Sequence, residues 1–354
     1  MRFLGNKESI KYEILKLLDC KGLMDKGFTF FDAFCGSGAV AEAVKSHFSV
    51  VINDILNWCV IYTKGRMYGG YCEFSLLGFN PFDHLNTNTE SRTGFIYANY
   101  SPGGSNRMYF TAENAGRIDY FRFQIEEWKN CNLITDAEYT YLLACLIESV
   151  SRVSNTAGVY GAFLKEWDPR ATKPIQFLKI DSSNNVYKDT RAYNNKIEEI
   201  IADVDCDVLY IDPPYTQNQY GTQYHLLETI VLNDNPPVSK VTGSRPVTPM
   251  RSDWSKEYKA NILFDEIISK TKAKHIVFSY NSDGFMSKEF IESCLKRYGI
   301  ADTFICKKIS YKKYRNWKTK RNNEHFEYLF YVKKNQMIKL YTNVPLIMLV
   351  AKQK

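Results

Sequence analysis

Apolar runs and helical apolar patterns alternate in the N-terminal part of the chain. Within residues 8–20, apolar side chains recur at helical spacing, at Ile10, Ile14, Leu17 and Leu18. The apolar run at 28–34 predicts a buried strand, and the run at 49–54 predicts a second one. Between them, a glycine turn leads into the helical pattern of residues 39–48. A strand, a helix and a second strand in this order predict a parallel, doubly wound sheet of the α/β class.

The same alternation returns in the C-terminal half of the chain. Apolar runs at 208–211 and 275–280 predict two more buried strands, and residues 289–299 predict a helix that ends at a glycine. The run at 327–332 predicts a strand that pairs antiparallel at the edge of the sheet. Residues 233–254 form a long Pro-rich segment, and a loop of that length inside a compact domain usually has a function.

The pattern between these two halves is different. It consists of loops rich in Asn, Gly, Thr and Tyr, followed by two amphipathic helical patterns. One predicted helix follows Thr111, and the other follows Thr135, where Glu138 completes a capping box. The predicted bounds are 1–74 and 179–335 for the α/β domain, 75–178 for a largely helical and loop insertion, and 336–354 for a tail of unassigned role.

The composition is that of a folded soluble protein, with 45% hydrophobic and 24% charged residues. The nine cysteines form no C-x-x-C pair, which argues against a zinc site or a disulfide framework and favours a reduced, cytoplasmic protein. We expect no metal site. The N-terminal residues lack the apolar segment of a signal peptide, and the apolar run at 344–351 is too short to span a bilayer.

Charge is distributed unevenly. The net charge of +7 permits a polyanionic partner without requiring one. Residues 307–321 contain eight basic side chains and no acid, with Tyr311, Tyr314 and Trp317 between them. Such a run can neutralise phosphates and offer rings on which bases stack. A solvated basic face explains the run equally well when it is considered alone.

A glycine turn follows the first predicted strand. Gly36 and Gly38 let the backbone turn tightly and let a ligand approach the main chain. The turn is neither G-x-G-x-x-G nor a Walker loop, which disfavours a dinucleotide or a nucleoside triphosphate. Asp54, at the end of the second strand, is placed to accept hydroxyl groups of a ribose. The turn and Asp54 together favour an adenosine cofactor without phosphates, although a purely structural turn explains the glycines alone.

The sequence DPPY, at 212–215, follows the apolar run at 208–211. Because ligands of open α/β sheets bind beyond the carboxyl ends of the strands, DPPY should face the same crevice as the glycine turn. The carboxylate of Asp212 and the main-chain carbonyl of Pro213 can each accept an N–H bond from an exocyclic amine, which directs the lone pair of its nitrogen at an electrophile. Tyr215 can stack on the base. A strand that simply ends at two prolines is the alternative interpretation.

In their order along the chain, these motifs resemble the Dam-like family of adenine-specific DNA methyltransferases. RFLGNK at 2–7 resembles the family's N-terminal cofactor motif, DAFCGSG its glycine loop, NDI its ribose-binding acid and DPPY its catalytic motif. The cofactor motifs come before the insertion and DPPY, which is the family's alpha arrangement. The resemblance implies a Rossmann-like methyltransferase sheet with residues 75–178 as the target-recognition domain. Residues 148–171 are similar to methylases of restriction–modification systems.

The resemblance also implies a cofactor, partners and contact residues. S-adenosylmethionine is the expected cofactor, held by Phe3, Lys7, Asp32, Phe34, Gly36, Gly38, Asp54, Asp189 and Asp212. The expected reaction centre, around a flipped-out adenine, consists of Asp212, Pro213, Pro214 and Tyr215. Double-stranded DNA is the expected partner, contacted by Lys312, Lys313, Arg315, Lys318, Lys240, Arg245, Arg251, Asn99, Asn106 and Arg107. A cognate restriction endonuclease is a further candidate partner, and the sequence does not indicate the oligomeric state.

Three other functions share part of this pattern. Methyltransferases acting on RNA or on a protein amide also use a glycine turn and a similar proline motif, but the N-terminal motif and the large insertion favour DNA. A cytosine-N4 methyltransferase uses related chemistry and more often has Ser in place of Asp212, which favours adenine. A non-catalytic nucleic-acid-binding module is disfavoured because both cofactor acids and all of DPPY are present.

Overall fold

The computed structural model describes residues 1, 3–69, 71–180, 190–310 and 326–335. Its strands are β1 (Thr29–Asp32), β2 (Ser49–Asn53), β3 (Arg191–Tyr193), β4 (Val208–Ile211), β5 (His275–Asn281), β6 (Ile305–Ser310) and β7 (Phe326–Lys333). They form one sheet in the order β3-β2-β1-β4-β5-β7-β6. The first five strands pair in parallel, and β7 pairs antiparallel with both β5 and β6.

The helices flank this sheet or lie in the segment between β2 and β3. They are α1 (Lys11–Cys20), α2 (Ala39–Val44), α3 (Asn57–Tyr68), α4 (Pro81–Thr87), α5 (Phe95–Tyr100), α6 (Ala112–Asn130), α7 (Asp136–Val153), α8 (Ile197–Ile200), α9 (Tyr220–Gln223), α10 (His225–Leu232), α11 (Glu257–Lys270) and α12 (Lys288–Tyr298). The predicted cap of α6 by Thr111 is present, and Thr135 and Glu138 form the predicted capping box of α7.

Alternate residues of each central strand belong to two different hydrophobic cores, so the sheet is covered on both faces. In β4, Val208 and Tyr210 point into the core that contains α1, α3, α6, α7 and α10. Leu209 and Ile211 point into the core formed with α8, α11 and α12. Burial on both faces explains why these strands are continuous apolar runs. The predicted doubly wound α/β class is confirmed.

The two ends of the sheet differ from the prediction. The late strand β7 was expected at the edge, but it lies between β5 and β6. The edge strand is β6, whose lysines Lys307 and Lys308 made its sequence resemble a solvated basic run. Lysine on an edge strand discourages pairing with another chain. At the other edge, β3 has only three residues, too few to give an apolar pattern.

The helices of the segment between β2 and β3 pack directly against the α/β layer. Helix α7 lies along α3, and a Cβ atom added at Gly65 of α3 would lie only 2.2 Å from the Cβ atom of Ala144 in α7. Phe121 of α6 and Leu142 of α7 belong to the same buried core as Val50 of β2. The segment therefore extends the core on one face of the sheet, and the bounds 75–178 stay a prediction.

Three further features of the described residues bear on function. No helix among them is long and apolar enough to cross a membrane. They contain no group of three or more His, Cys, Asp or Glu side chains that could hold a metal ion. All nine cysteines are free thiols.

Candidate active site

The carboxyl ends of three neighbouring parallel strands bring three acids together. Asp32 is the last residue of β1, Asp54 follows β2, and Asp212 follows β4. All three line one pocket at this end of the sheet, as the strand order predicts. The predicted residues that line it are Phe3, Lys7, Asp32, Phe34, Gly36, Asp54, Asp212, Pro213, Pro214 and Tyr215.

The glycine turn forms one wall of the pocket. Gly36 has φ +49°, and a Cβ atom there would lie 2.9 Å from Cε1 of Phe3. Gly38 has φ +75° and is the N-cap of α2. A Cβ atom at Gly38 would lie 2.8 Å from Oγ1 of Thr63, so this glycine supports the turn from behind, where it does not line the pocket. Both positions combine a left-handed backbone with close neighbours, which only glycine tolerates.

Asp54 is fixed by the main chain around it. Gly36 N donates a 3.0 Å hydrogen bond to Oδ2 of Asp54, and Leu56 N donates one of 3.0 Å to Oδ1. Burial raises the pKa of Asp54 to about 6, against the lowering effect of these hydrogen bonds. Each carboxylate oxygen can accept a second hydrogen bond, so this held carboxylate suits a vicinal pair of hydroxyl groups.

Asp32 is buried, and none of the described residues forms an ion pair with its carboxylate. Burial raises its pKa to about 8, and the negative charge of Asp212 adds to the increase. Among the described residues, Oδ1 of Asp32 has no hydrogen-bond partner. An unpartnered carboxylate oxygen in a ligand-sized pocket suits a cationic group of a ligand, because a buried charge without a partner is costly.

Lys7 connects the catalytic motif to a further buried carboxylate, that of Glu327. Its Nζ lies 2.8 Å from Oδ1 of Asp212 and 3.0 Å from Oε1 of Glu327. Burial by itself lowers the pKa of Lys7, but the two carboxylates outweigh it and raise the pKa well above its usual value. Burial raises the pKa of Asp212 to about 7, with Lys7 opposing the rise and Glu327 adding to it.

Glu327 was not recognised in the sequence. It lies in β7 opposite Asn281 of β5, and Ser279 Oγ donates a 2.7 Å hydrogen bond to its Oε1. The only signal in the sequence was a charged residue at the start of an apolar strand. Its approach to Lys7 depends on the register between β5 and β7, which the sequence pattern does not give.

Aromatic side chains form the rest of the pocket wall. The ring of Tyr215 packs edge-on against the ring of Tyr280, with ring centroids 6.2 Å apart. The main-chain carbonyl of Tyr215 accepts a hydrogen bond from Phe285 N. Phe34 packs edge-on against Trp254, with ring centroids 5.3 Å apart. Trp254 ends the Pro-rich segment 233–254 and was not predicted as a site residue. That segment therefore contributes directly to the pocket.

Residues after β3 complete the pocket on the side of Asp54. Asn195, Lys196, Ile197 and Glu198 line it. Asn194 Nδ2 donates a 2.7 Å hydrogen bond to the carbonyl of Asp54. Sequence reasoning placed a cofactor contact slightly earlier, at Asp189, which lies outside the described residues.

The predicted DNA contacts fall into three groups. Lys240, Arg251 and Asn106 are exposed. A second group, Arg107, Arg245 and Asn99, already contacts other residues of the protein. Arg107 Nη2 donates hydrogen bonds of 2.8 and 3.0 Å to the carbonyls of Ser239 and Lys240. Arg245 Nη2 lies 2.6 Å from Asp234 Oδ2, and Asn99 Nδ2 donates a hydrogen bond to the carbonyl of Phe95. The described residues do not include Lys312, Lys313, Arg315 or Lys318. Contact with DNA stays a prediction for all ten residues.

Comparison with known proteins gives consistent matches over most of the chain. A family model described as D12 class N6 adenine-specific DNA methyltransferase matches residues 3–282. Type II methyltransferase M.FokI of Planomicrobium okeanokoites is 38% identical over 95% of this chain and 53% of its own length. Modification methylase StsI of Streptococcus sanguinis is 33% identical over 98% of this chain and 54% of its own length. The chain thus spans about half the length of these two relatives.

A shorter relative matches along nearly its whole length. Type II methyltransferase M.NlaIII of Neisseria lactamica is 34% identical over 321 residues, which are 88% of this chain and 92% of that protein. The shared region therefore covers nearly all of this relative.

Proposed function

The chain belongs to the D12 class of N6 adenine-specific DNA methyltransferases, and we propose that it transfers a methyl group from S-adenosylmethionine to the N6 amine of an adenine flipped out of duplex DNA. One observation carries this proposal. The acids suited to the donor, Asp32 and Asp54, and the residues suited to the base, Asp212 and Tyr215, line the same pocket. Donor and acceptor can therefore meet there without a change of fold.

The pocket fits the proposed donor at three places. The unpartnered Oδ1 of Asp32 suits the ammonium of the methionine part, and the carboxylate of Asp54 suits the ribose hydroxyls. The turn at Gly36 leaves a space that a side chain would fill. When bound, S-adenosylmethionine supplies an electrophilic methyl group on a sulfonium. Among the described residues that line the pocket, the carboxylates of Asp32, Asp54 and Asp212 outnumber the one buried cation, Lys7, and this favours a ligand of positive charge.

The catalytic motif acts on the amine by accepting its protons. The lone pair of the adenine amine is delocalised into the ring, so the nitrogen is a poor nucleophile. Asp212 and the Pro213 carbonyl accept one N–H each, which draws the lone pair out of the ring and directs it at the methyl group. The nitrogen gains the methyl group and loses one proton, which Asp212, with its pKa raised to about 7, can take up. The ammonium of Lys7 holds the carboxylate of Asp212 in place through an ion pair with Oδ1 of Asp212.

Duplex DNA is the proposed substrate, and residues 75–178 are proposed as the target-recognition part. Base flipping brings the target into the pocket, where Tyr215 stacks on it. The exposed Lys240 and Arg251 are proposed phosphate contacts.

The related proteins named as type II methyltransferases support a role beside a cognate restriction endonuclease. The nine free thiols support a cytoplasmic location.

The experiment is an assay of methyl transfer with analysis of the modified nucleoside. Purified protein is incubated with S-adenosylmethionine and duplex DNA, and the DNA is digested and examined by mass spectrometry. The proposal predicts N6-methyladenine. N4-methylcytosine as the product would instead identify a cytosine methyltransferase. Transfer only to RNA or to protein would replace DNA as the substrate, and absence of donor binding by calorimetry would leave a non-catalytic nucleic-acid-binding module.

A further inference from the structure

One face of helix α3 lies next to the glycine turn, on the side of the pocket that is proposed to bind the methyl donor. Cys59, Thr63 and Arg66 lie on this face at successive spacings of four and three residues. Cys59 lines the pocket, and Thr63 Oγ1 donates a 3.5 Å hydrogen bond to the carbonyl of Gly36. Arg66 Nη1 donates a 2.8 Å hydrogen bond to the carbonyl of Ser37. Helix α3 thus supports the glycine turn from behind.

Arg66 also reaches two carboxylates from other segments of the chain. Its Nη2 lies 2.8 Å from Oε1 of Glu8 and contacts Oε2 of Glu42. Glu8 follows Lys7 directly, and Glu42 lies in α2, which begins after the glycine turn. The guanidinium is largely buried, with 13% of the side chain exposed. One side chain therefore joins the N-terminal segment, the glycine turn and α2.

We propose that Arg66 is a positioning residue for the methyl donor, which holds the N-terminal segment 3–7 and the glycine turn 36–38 at the separation that the donor requires. Arg66 is not among the residues lining the pocket, whereas Phe3, Lys7 and Gly36 are. Its effect on the donor therefore passes through these two segments. The inference rests on the proposed function, because it takes S-adenosylmethionine as the ligand.

Arginine suits this task better than lysine. The planar guanidinium presents several N–H donors in fixed directions, and here it serves a carbonyl and two carboxylates at once. Lysine carries the same charge on a flexible chain and cannot keep the same three acceptors at fixed mutual distances. The charge of Arg66 also acts on Glu8, where partial burial raises the pKa but Lys11 and Arg66 outweigh it and lower the pKa.

A matched residue separates positioning from stability. Arg122 in α6 is also a largely buried arginine, and it donates to the carbonyls of Ile230 and Val231 and pairs with Glu126. It is not among the residues lining the donor pocket. Arg66→Met and Arg122→Met should both lower Tm, but only Arg66→Met should change donor binding.

The experiment measures S-adenosylmethionine binding to the full chain by calorimetry, together with KM and kcat. We expect the Kd of Arg66→Met to rise about 3- to 30-fold, with Arg66→Lys in between and Arg122→Met within about twofold of wild type. KM for the donor should rise in parallel, while kcat at saturating donor stays within about twofold, because the bound donor itself holds the two segments together.

A milder variant keeps the test valid if Arg66→Met does not fold. Glu8→Gln weakens the link between Arg66 and the N-terminal segment, together with the ion pair of Glu8 with Lys11, at a side chain that is 39% exposed, and should also weaken donor binding. Wild-type Kd in both Glu8→Gln and Arg66→Lys would overturn the role of Arg66. Equal weakening by Arg122→Met would make the effect one of stability and overturn it as well. Failure of the wild-type chain to bind S-adenosylmethionine would instead contradict the proposed function.

Discussion

Lys7 Nζ lies 2.8 Å from Asp212 Oδ1, so the N-terminal segment and the loop after β4 are joined by an ion pair inside the pocket. Lys7 also lies 3.0 Å from Glu327, and a single ammonium therefore serves two buried carboxylates. With Asp32 and Asp54 nearby, the acids outnumber the one buried cation, Lys7, among the described residues that line the pocket. This arrangement favours the binding of a positively charged ligand. It also makes the protonation of Asp212 depend on the charge of Glu327.

Glu327→Gln should change the pH dependence of methyl transfer. The charge of Glu327 helps to raise the pKa of Asp212, so its removal should lower that pKa and keep Asp212 ionised at more acidic pH. The acid limb of the kcat profile should move to lower pH, and kcat should fall by up to about 100-fold because Lys7 loses one of its two anchors. The measurement is kcat between pH 5 and 9.

Glu13→Gln is the control for this variant. Glu13 lies in α1 and pairs with Lys307 on the surface of the molecule, so its charge is not part of the pocket. Its profile should match wild type. If the acid limb of the kcat profile did not shift in Glu327→Gln, the proposed effect of Glu327 on the pKa of Asp212 would be wrong.

Asp32→Asn should stabilise the protein while it weakens donor binding. The pKa of Asp32 is raised from 3.8 to about 8, so the folded state binds this proton more tightly than the unfolded state. The contribution of Asp32 to stability therefore becomes less favourable as pH rises from about 4 to about 8, and the variant removes this loss. The gain in Tm should be greatest at pH 8 and above, and it should shrink as the pH falls through this window.

Thermal unfolding and donor calorimetry at several pH values test the role of Asp32. Wild-type affinity for S-adenosylmethionine should increase as the pH rises toward about 8, because the ionised carboxylate binds the ammonium, and Asp32→Asn should lose this dependence. Asp205→Asn, at an exposed aspartate, should behave as wild type. A pH-independent difference in Tm between Asp32→Asn and wild type would contradict the assigned burial of an unpaired charge.

Tyr215→Ala should weaken the hold on the extruded base. Loss of a stacking ring costs roughly 1–3 kcal/mol. Tyr215→Phe keeps the ring and should bind nearly as wild type does, since stacking does not need the hydroxyl. The measurement is affinity for a duplex with a mismatched target base, which lowers the cost of flipping. If Tyr215→Ala bound this duplex as tightly as wild type does, Tyr215 would not be the stacking residue.

The salt dependence of DNA binding should separate the exposed cations from those engaged within the protein. Lys240→Ala and Arg251→Ala should each reduce the slope of log K against log salt by about 1, because each removes a phosphate contact that releases counterions. Arg245→Ala should change the slope less, since its guanidinium already pairs with Asp234. If Lys240→Ala and Arg251→Ala both kept the wild-type slope, neither residue would contact a phosphate of the DNA.

The strands that carry the site could be predicted because their sequences record burial on both faces. The runs before Asp32, Asp54 and Asp212 are continuous and apolar, and the topology of a parallel sheet then brings their ends together. In contrast, β6 was missed because an edge strand with lysines has one solvated side.

The supporting residues of the site could not be read from the sequence because their roles depend on tertiary contacts. Glu327 reaches Lys7 through the register of β5 and β7, and Trp254 reaches Phe34 from a Pro-rich segment. Arg107 also has a tertiary role that no local sequence pattern indicates. Its guanidinium donates hydrogen bonds to the main-chain carbonyls of residues 239–241, and its predicted contact with DNA stays a prediction.

The central claim is that Asp212 and its neighbours transfer a methyl group to adenine in DNA. The most direct test is single-molecule sequencing of genomic DNA from a methylation-free host that expresses either the wild-type chain or Asp212→Ala, with donor binding measured on both purified proteins. The account predicts N6-methyladenine at one recurring sequence with wild type and none with Asp212→Ala, whose donor binding is weakened but measurable. Methylation only at cytosine, or equal adenine methylation by Asp212→Ala, would contradict it.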